Sequence, residues 1–285
     1  MSPFVRREPY RGPVRAVILD WAGTAVDYGC MGPAAVFVDV FETFGIRVTV
    51  AEARRFMGLM KQDHIRGICA LPAVIEQWRA KYGKPPGEAE VAALYAETEP
   101  MMVEAIRRHA DPIPGLENFV AAMRARGAKI GSCTGYTRPM MDVLVPEAAK
   151  NGYTPDAAVC SSDVPAGRPY PWMCLRNAIL LETYPLEALV KIGDTVADIE
   201  EGLNAGMWTI GLTQSGNALG LTREAAEALE PAELAARLGE VEARFKAAGA
   251  HFVAPGIWEC LPLVEAIEVR LAEGRQPIDQ WLSAP

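Results

Sequence analysis

An aspartate at the end of the first apolar run is the residue best placed in this sequence to act as a nucleophile. Asp20 directly follows the run at residues 14–19 and begins the sequence Asp-Trp-Ala-Gly-Thr. A carboxylate that leaves a buried parallel strand before a turn of small residues is presented at the carboxyl edge of the sheet, where it can attack an electrophile. A strand that ends in a chance Asp-x-x-Gly turn is the alternative interpretation.

Three other segments place polar side chains directly after predicted strands. Thr134 follows the second strand, where it either helps backbone N–H groups to hold phosphoryl oxygens or simply caps a helix. Arg168 follows the third strand, where a single arginine is most often a solvated loop residue. Asp194 and Asp198 follow the fourth strand with i, i+4 spacing, so they face one side and, with Asp20, predict an oxygen-rich magnesium site. A capping and a surface aspartate are the alternative.

A lysine and a histidine lie one helical turn apart in the sequence Met-Gly-Leu-Met-Lys-Gln-Asp-His at residues 57–64. A lysine among apolar residues can lose its proton and attack an aldehyde, so Lys61 is a second candidate nucleophile. His64 is placed to transfer protons. The alternative is an exposed lysine beside a structural histidine, because most lysines are exposed. His109 and His251 have no motif around them, and we predict structural roles for both.

Short apolar runs alternate with helical patterns along the chain, which is typical of an α/β fold. The runs lie at residues 14–19, 128–133, 157–160, 189–193 and 208–212. Each is nearly continuous and is followed by polar residues or glycine, as strands of a helix-covered parallel sheet are. A short run at residues 251–254 could add an edge strand. We therefore predict a doubly wound, mostly parallel sheet with the site at the carboxyl ends of its strands.

Helical patterns interrupt this alternation between about residues 30 and 108. They cover residues 33–44, 51–57, 72–82 and 88–108. We predict a Rossmann-like catalytic core of residues 1–28 and 108–285 and an α-helical cap domain inserted at residues 29–107. Because Lys61 lies on the predicted cap and Asp20 on the core, chemistry that uses both requires the cap to close, with hinges near residues 28–29 and 110–114.

The composition describes an acidic globular protein with free thiols. The chain has 285 residues, 50% of them hydrophobic, and a net charge of -8, which argues against a nucleic-acid-binding surface. Its six cysteines form no Cys-x-x-Cys pair and no zinc spacing with histidine, so we predict reduced thiols and a cytoplasmic location. We expect no membrane partner, because neither a secretory signal nor a membrane-spanning run is apparent.

Five stretches of the chain together resemble the phosphonatase family of the haloacid-dehalogenase superfamily. They are Asp-Trp-Ala-Gly-Thr-Ala-Val-Asp at residues 20–27, Met-Gly-Leu-Met-Lys at 57–61, Thr-Gly-Tyr-Thr-Arg at 134–138, Asp-Val-Pro-Ala-Gly-Arg-Pro-Tyr-Pro-Trp-Met at 163–173 and Gly-Asp-Thr-Val-Ala-Asp at 193–198. The similarity covers roughly residues 14–270. Superfamily phosphatases carry Asp-x-Asp-Gly-Thr, whose second aspartate protonates the leaving alcohol oxygen. This sequence has Ala22 there, which indicates a leaving group of another kind.

The resemblance implies hydrolysis of the phosphorus–carbon bond of phosphonoacetaldehyde to acetaldehyde and phosphate, in the breakdown of 2-aminoethylphosphonate. By the same resemblance, Lys61 forms a Schiff base with the aldehyde, His64 transfers a proton and Asp20 becomes an aspartyl-phosphate. Mg²⁺ is held by Asp20, Asp194 and the Ala22 carbonyl, with Asp198 in support. The residues implied to bind the phosphonate or line its site are Thr134, Arg168, Met57, Gly58, Cys30 and Tyr136. The resemblance also implies a homodimer that contacts through cap helices.

Three other functions stay open on the sequence alone. A phosphomonoesterase or mutase of the superfamily uses the same nucleophile and metal but needs an acid at position 22. A hydrolytic dehalogenase attacks carbon without a metal and leaves the pair Asp194 and Asp198 unexplained. A binding or scaffold protein can keep the fold without turnover, but it leaves the whole set of predicted catalytic groups without a role.

Overall fold

The computed structural model describes residues 8–279, which form one six-stranded sheet with helices around it. The strands are β1 (Ala16–Leu19), β2 (Lys129–Thr134), β3 (Ala157–Cys160), β4 (Leu189–Gly193), β5 (Trp208–Leu212) and β6 (Phe252–Ala254). Every neighbouring pair is parallel, and the order is β3-β2-β1-β4-β5-β6. The predicted doubly wound parallel sheet is therefore confirmed, including the short edge strand.

The centre of the sheet is where the order of strands reverses, and this position locates the site. β1 pairs with β2 on one side and with β4 on the other, so Leu19 lies opposite both Ser132 and Ile192. Crossover connections leave this point in opposite directions, which opens a crevice at the carboxyl ends of the strands. Asp20 directly follows β1, and Asp194 directly follows β4, so both lie at that crevice.

Six helices lie between β1 and β2, and the first five of them form the segment that we call the cap. These five are α1 (Met31–Thr43), α2 (Val50–Arg54), α3 (Lys61–Cys69), α4 (Pro72–Tyr82) and α5 (Glu88–Arg108). α2 begins at a capping box in which Thr49 and Glu52 bond each other's backbone N–H. The helix predicted over residues 51–57 ends already at Arg54, because the chain turns into a loop in which Gly58 adopts a φ of 91°.

The remaining helices cover the sheet. They are α6 (Leu116–Ala125), α7 (Arg138–Lys150), α8 (Trp172–Leu180), α9 (Val196–Asn204), α10 (Arg223–Glu227), α11 (Pro231–Ala247) and α12 (Cys260–Ala272). One buried apolar cluster extends from Val17 in β1 to Phe37 and Trp78 in the cap, so cap and core bury each other's apolar surface. All six cysteines are free, as predicted, and all are buried. No helix within residues 8–279 is both long and apolar enough to cross a bilayer.

The two connections between cap and core meet beside the start of α1. Val26 and Pro112 form an antiparallel bridge, and the Asp27 carboxylate accepts backbone hydrogen bonds from Met31 at 3.0 Å and Gly32 at 3.2 Å. His109 Nδ1 lies 3.3 Å from the same carboxylate. Asp27 therefore joins both connections at the place where hinges are predicted; the hinges themselves stay a prediction.

His251, like His109, is held by hydrogen bonds outside the site, in this case beside β6 at the edge of the sheet. Its Nδ1 accepts a hydrogen bond from the Thr209 backbone at 3.1 Å, and its Nε2 donates to the Pro277 carbonyl at 2.8 Å. Burial lowers the pKa of His251 to about 4, so the ring stays neutral near pH 7 and ties the segment after α12 to β5.

Candidate active site

Three carboxylates meet at the carboxyl ends of β1 and β4. Asp20, Asp194 and Asp198 are buried, and one carboxylate oxygen of each lies within 4.8 Å of the others. Asp198 reaches this position because it closes the capping box of α9: its carboxylate accepts from the Thr195 backbone at 3.2 Å and hydroxyl at 2.5 Å. The structure thus brings together the three acids that the sequence predicts for a metal site.

Arg168 connects these carboxylates to the cap. Its guanidinium is buried, with Nη2 at 2.7 Å from Asp20 and 3.0 Å from Asp198, and Nε at 2.8 Å from Glu201. Nη1 donates to the Gly58 carbonyl of the cap at 3.2 Å. Burial by itself lowers the pKa of Arg168, but the three carboxylates outweigh it and raise that pKa well above its usual value. Arg168 is therefore a fixed cation of the site and not a solvated loop residue.

Two ionisable residues of this cluster were missed in the sequence. Lys191 lies inside β4, fully buried, with Nζ at 2.5 Å from Asp198 and 3.7 Å from Glu201. Glu201 is also fully buried, three residues after Asp198 on α9. The sequence did contain one indication of this pairing. A lysine within an apolar strand is almost never buried without a partner, so Lys191 indicates a buried acid nearby.

Removing Lys191 is expected to destabilise the fold strongly. Lys191→Met keeps the length of the side chain but leaves Asp198 and Glu201 short of a buried partner, which costs about 3–5 kcal/mol. Urea unfolding measures this change. Lys246→Met is the matched control, because Lys246 forms an exposed ion pair with Glu242 on α11, which contributes about 0–1 kcal/mol. Equal stabilities of the two variants would show that the buried pairing of Lys191 is not needed.

The charges of this buried cluster do not balance, and the imbalance suits a divalent cation. The members of the buried charge cluster are Asp20, Asp194, Asp198, Glu201, Arg168 and Lys191. When all are ionised, it holds two more negative than positive charges. Burial raises the pKa of Asp20 despite Arg168, and burial with the repulsion of Asp20 and Asp198 raises that of Asp194 well above its usual value. An oxygen-only donor set with this excess charge fits Mg²⁺.

Asp194 is held tightly by its surroundings. Its Oδ2 accepts from the Asn217 backbone at 2.7 Å, and its Oδ1 accepts from the Thr24 hydroxyl at 3.3 Å. A Cβ on Gly216 would lie 2.2 Å from the Asp194 Cβ, and one on Gly23 would lie 2.4 Å from its Oδ2. The backbone on both sides therefore packs directly against this carboxylate and leaves it one orientation.

Lys61 approaches the carboxylates from the cap. It is the first residue of α3, only 3% exposed, and its Nζ lies 4.7 Å from the centroid of the Tyr136 ring and 5.6 Å from that of Phe37. Burial lowers the pKa of Lys61 to about 8, although the negative charge of Asp20 opposes this shift. About a tenth of the lysine is therefore free amine at pH 7, far more than for an exposed lysine, and the free amine is the form that a nucleophile requires.

His64 lies behind Lys61 and does not line the reaction cavity described below. Its ring stacks on Phe37 at 3.8 Å between centroids, and its Nε2 donates to the Ala53 carbonyl at 2.7 Å. Its Nδ1 is buried and has no hydrogen-bond partner within residues 8–279. Burial, together with the charge of Lys61, lowers the pKa of His64 to about 3. The ring is therefore neutral, with a free lone pair on Nδ1, and its role in proton transfer stays a prediction.

A small cavity lies between the cap and the sheet, and we call it the reaction cavity. Its volume is about 20 Å³, enough for one water molecule, so the cap lies closed over the core. The residues that line it are Asp20, Ala22, Cys30, Pro33, Met57, Gly58, Lys61, Thr134, Gly135, Tyr136, Arg168, Asp194 and Thr195. Asp20 and Lys61 thus line one cavity, along with all six predicted substrate-binding residues; Pro33, Gly135 and Thr195 were not predicted.

The loop between α2 and α3 forms the roof of this cavity by direct backbone contact. A Cβ on Gly58 would lie 2.5 Å from the Thr195 hydroxyl, and one on Gly135 would lie 2.4 Å from the Leu59 carbonyl. Both positions therefore require glycine when the cap is closed. The Cys30 thiol donates to Asp194 at 3.3 Å, and burial with the nearby Asp194 charge raises its pKa well above the usual value, so it stays protonated.

A pair of side chains fastens the cap to the loop that holds Asp194. Arg54 Nη1 donates to the Gly29 carbonyl at 2.7 Å and to Asn217 Oδ1 at 3.0 Å, and Asn217 Nδ2 donates back to the Arg54 carbonyl at 3.1 Å. This contact could not be found in the sequence, because Asn217 lies in a loop without a recognisable motif. The residue whose backbone bonds Asp194 is thus also bonded by the cap.

Comparisons with known proteins agree with this geometry. The family model of haloacid dehalogenase-like hydrolases matches residues 14–206. A phosphonoacetaldehyde hydrolase of Nitratidesulfovibrio vulgaris (strain DSM 19637 / Miyazaki F) is 54% identical over 277 residues, which cover 97% of this chain and 99% of that protein. A protein of the same name from Bacillus anthracis is 47% identical over 255 residues, covering 90% of this chain and 97% of that protein.

A solved structure is similar over almost the whole fold. The crystal structure of a phosphonoacetaldehyde hydrolase-like protein from Oleispira antarctica superposes with a TM-score of 0.93 at 37% identity and covers 96% of this chain and 100% of that chain. A similarity of this extent includes both the catalytic sheet and the cap. The chain therefore belongs to the haloacid dehalogenase-like hydrolases and, within them, to the family of proteins named phosphonoacetaldehyde hydrolase.

Proposed function

We propose that this protein hydrolyses the phosphorus–carbon bond of phosphonoacetaldehyde to acetaldehyde and phosphate. The observation that carries the proposal is the placement of two different nucleophiles, Lys61 and Asp20, in the lining of one small cavity. An ordinary phosphatase needs one nucleophile and an acid for the leaving oxygen. Here position 22 carries alanine, and a buried lysine with a lowered pKa is added.

Lys61 performs the first step, because a phosphorus–carbon bond does not break to give a stable leaving group. Its free amine attacks the aldehyde carbon, and loss of water gives a protonated imine. His64 passes the proton of the attacking nitrogen, through Nδ1, the ring nitrogen that is not bonded to Ala53, to the aldehyde oxygen, and one further proton from solvent lets that oxygen leave as water. The imine then serves as the acceptor for the electron pair of the bond that breaks.

Asp20 performs the second step by attacking phosphorus. The phosphorus–carbon bond breaks, its electron pair moves into the carbon framework, and the imine becomes a neutral enamine on Lys61 while Asp20 becomes an aspartyl-phosphate. Arg168, at 2.7 Å from Asp20, and the Thr134 hydroxyl at the end of β2 hold the phosphoryl oxygens. Arg168 also bonds the Gly58 carbonyl, so closure of the cap and placement of this cation are linked.

Two hydrolyses complete the cycle. Water attacks the phosphorus of the aspartyl-phosphate and releases phosphate, which restores the Asp20 carboxylate. The enamine gains a proton on carbon, and water then cleaves the resulting imine to acetaldehyde and the free amine of Lys61. Because the leaving group is an enamine, no acid is needed at position 22, which accounts for Ala22.

Mg²⁺ is the expected cofactor. Asp20, Asp194 and the backbone carbonyl of Ala22 would hold it, and it would supply positive charge that offsets the carboxylates and the phosphonate. Asp198 supports the site from a distance, since Lys191, Arg168 and Thr195 occupy its carboxylate. The burial of all three acids and the excess negative charge of the cluster support this assignment.

Removal of the metal is expected to abolish turnover and lower thermal stability. Treatment with EDTA should reduce phosphate release by about 100-fold or more, and added Mg²⁺ should restore it. Mg²⁺ should also raise the unfolding temperature of the metal-free protein, because it binds the folded state. Asp194→Asn should lose this thermal shift. Full activity in EDTA, or an equal thermal shift in Asp194→Asn, would contradict the proposed metal site.

The pH dependence of kcat/KM should follow the amine of Lys61. Its pKa is lowered from 10.5 to about 8, so the reactive neutral form reaches about one half near pH 8 and is nearly complete above about pH 9. We expect kcat/KM to rise about tenfold per pH unit below pH 7 and to level off above about pH 8. A profile that keeps rising to pH 10 would mean that Lys61 is not desolvated in the working enzyme.

The test of the proposed function is a product assay with phosphonoacetaldehyde and Mg²⁺. We expect acetaldehyde and phosphate in equal amounts, and little phosphate from sugar phosphates. Phosphate from phosphomonoesters that survives Lys61→Ala would favour a phosphatase instead. The homodimer implied by the resemblance stays a prediction, which light scattering with size-exclusion chromatography checks.

A further inference from the structure

A second, open cavity lies directly against the reaction cavity, and we call it the outer chamber. It measures about 600 Å³ and lies between α2 of the cap, α9 and α11 of the core, and the loop after β5. The two cavities share Met57, Asp194 and Thr195 as lining residues. These three residues form the wall between the two cavities, and a ligand that comes through the outer chamber must cross it.

Only one of the three wall residues is free of hydrogen bonds that fix its side chain. Asp194 is bonded by Asn217 and Thr24, and the Thr195 hydroxyl donates to Asp198 at 2.5 Å. Met57 is held by packing, is 9% exposed and has an unbranched side chain with three rotatable bonds. Rotation of the Met57 side chain is therefore the smallest change that connects the two cavities.

The charges around the outer chamber favour an anion, although the protein as a whole is acidic with a net charge of -8. Arg54, Arg55 and Arg244 line it, and none of the three forms an ion pair with another residue between positions 8 and 279. Arg54 Nε is buried and has no hydrogen-bond partner within the same residues. Glu200 also lines the chamber and opposes this field. Unpaired cations in a cleft raise the local concentration of anions.

We propose that the outer chamber is the passage through which the phosphonate dianion reaches the reaction cavity and phosphate leaves it, with Met57 as the gate. The identity of the anion rests on the proposed function, while the passage rests on the shared wall and on the arginines. Ligand exchange then takes place on this side of the cap. The alternative is that the cap opens at another place and that no ligand passes through the outer chamber.

A bulky residue in the chamber provides the first test. Ala51 lines the chamber and is exposed on α2, so Ala51→Trp fills the passage without disturbing the core. We expect kcat/KM for phosphonoacetaldehyde to fall about tenfold, since the substrate is obstructed before the chemistry. Ala236→Trp on exposed α11, outside the chamber, is the matched control and should leave kcat/KM unchanged. Equal kcat/KM values for the two variants would overturn the passage.

Charge changes of opposite sign provide the second test. At low salt we expect Arg244→Gln to lower kcat/KM about threefold and Glu200→Gln to raise it by a similar factor, with kcat nearly constant. Both effects should disappear near 0.5 M salt, where screening is strong. Arg237→Gln makes the same change of net charge on α11, away from the chamber, and should have no effect. Shifts of Arg244→Gln and Glu200→Gln in one direction, or equal effects of Arg244→Gln and Arg237→Gln, would overturn the proposal.

Failure of the proposed function can be distinguished from failure of the passage. If the wild-type protein does not hydrolyse phosphonoacetaldehyde, the proposed function is wrong. The same variants are then compared by the association rate of inorganic phosphate, followed by stopped-flow tryptophan fluorescence, because Trp21 adjoins Asp20. Slower association in Ala51→Trp and Arg244→Gln would support the passage for anions in general. An association rate that is unmeasurable or unchanged in both variants would overturn it.

Discussion

Lys61→Arg is expected to lower kcat/KM for phosphonoacetaldehyde by about 1,000-fold or more, because the side chain can no longer form an imine. Arginine keeps the positive charge and the reach of the side chain, so simple attraction of the phosphonate dianion is retained. Without the imine, cleavage of the phosphorus–carbon bond has to produce a carbanion. A steady-state assay of phosphate release measures the loss directly.

A second substitution separates the loss of chemistry from any loss of folding. Lys61 is buried between the rings of Tyr136 and Phe37, so the larger guanidinium could disturb their packing. Lys61→Met has a similar length and no charge to desolvate, and it should fold with an unfolding temperature at least equal to that of the wild type. We expect it to be as inactive as Lys61→Arg. Turnover within tenfold of the wild type in either variant would remove Lys61 from the mechanism.

Asp20→Asn is expected to abolish phosphate release, with a loss of about 10,000-fold or more, because an amide cannot form the aspartyl-phosphate. Asparagine keeps the shape of the side chain and removes one negative charge from a cluster that has two in excess, so the fold should be retained. The imine on Lys61 does not depend on this carboxylate as a nucleophile. Asp20→Asn should therefore still bind the aldehyde covalently while releasing no phosphate.

Covalent binding of the aldehyde without release of phosphate distinguishes Asp20 from residues that act only by holding the substrate. Substitution of a residue that only holds the phosphoryl group, such as Thr134→Val, should raise KM and leave measurable turnover. Asp20→Asn should instead stop the reaction at the imine, which accumulates when single-turnover samples are reduced and analysed. Phosphate release by Asp20→Asn within tenfold of the wild-type rate would show that another group attacks phosphorus.

The sheet could be predicted well because its strands are buried on both faces. Nearly continuous apolar runs, each closed by a polar residue, identify β3, β4 and β5 with the bounds that the structure has. The end of α2 could not be predicted, because the helical pattern continues past Arg54. There, contacts of the following loop with Thr195 and with the backbone after β2 decide where the chain turns. Tertiary packing overrides local preference at this point.

Some residues of the candidate site could likewise be placed from the sequence, and others could not. Asp20, Thr134 and Asp194 could be placed together because all three stand at the ends of parallel strands, which meet at one edge. The burial of Lys61 could not be predicted from the sequence, since a lysine at the start of an arbitrary helix is normally exposed. It depends on how α3 is placed over Tyr136.

The site residues that were missed in the sequence act through ion pairs and hydrogen bonds that form only when the chain is folded. Lys191 is compatible with β4 because Asp198 and Glu201 come from the next helix to neutralise it. Asn217 contributes through its backbone to Asp194 and through its side chain to Arg54. A backbone N–H carries no sequence signal, so contacts of this kind become visible only in the structure.

Mass spectrometry after borohydride reduction tests the central claim most directly. The protein is incubated with phosphonoacetaldehyde and Mg²⁺, reduced and digested, and the peptide that contains Lys61 is examined. A reduced two-carbon adduct on Lys61, with loss of activity in proportion to its formation, is the expected result for wild type and Asp20→Asn. Asp20→Asn should carry the adduct with phosphorus still attached. Continued release of phosphate with Lys61 unmodified would contradict the Schiff-base route.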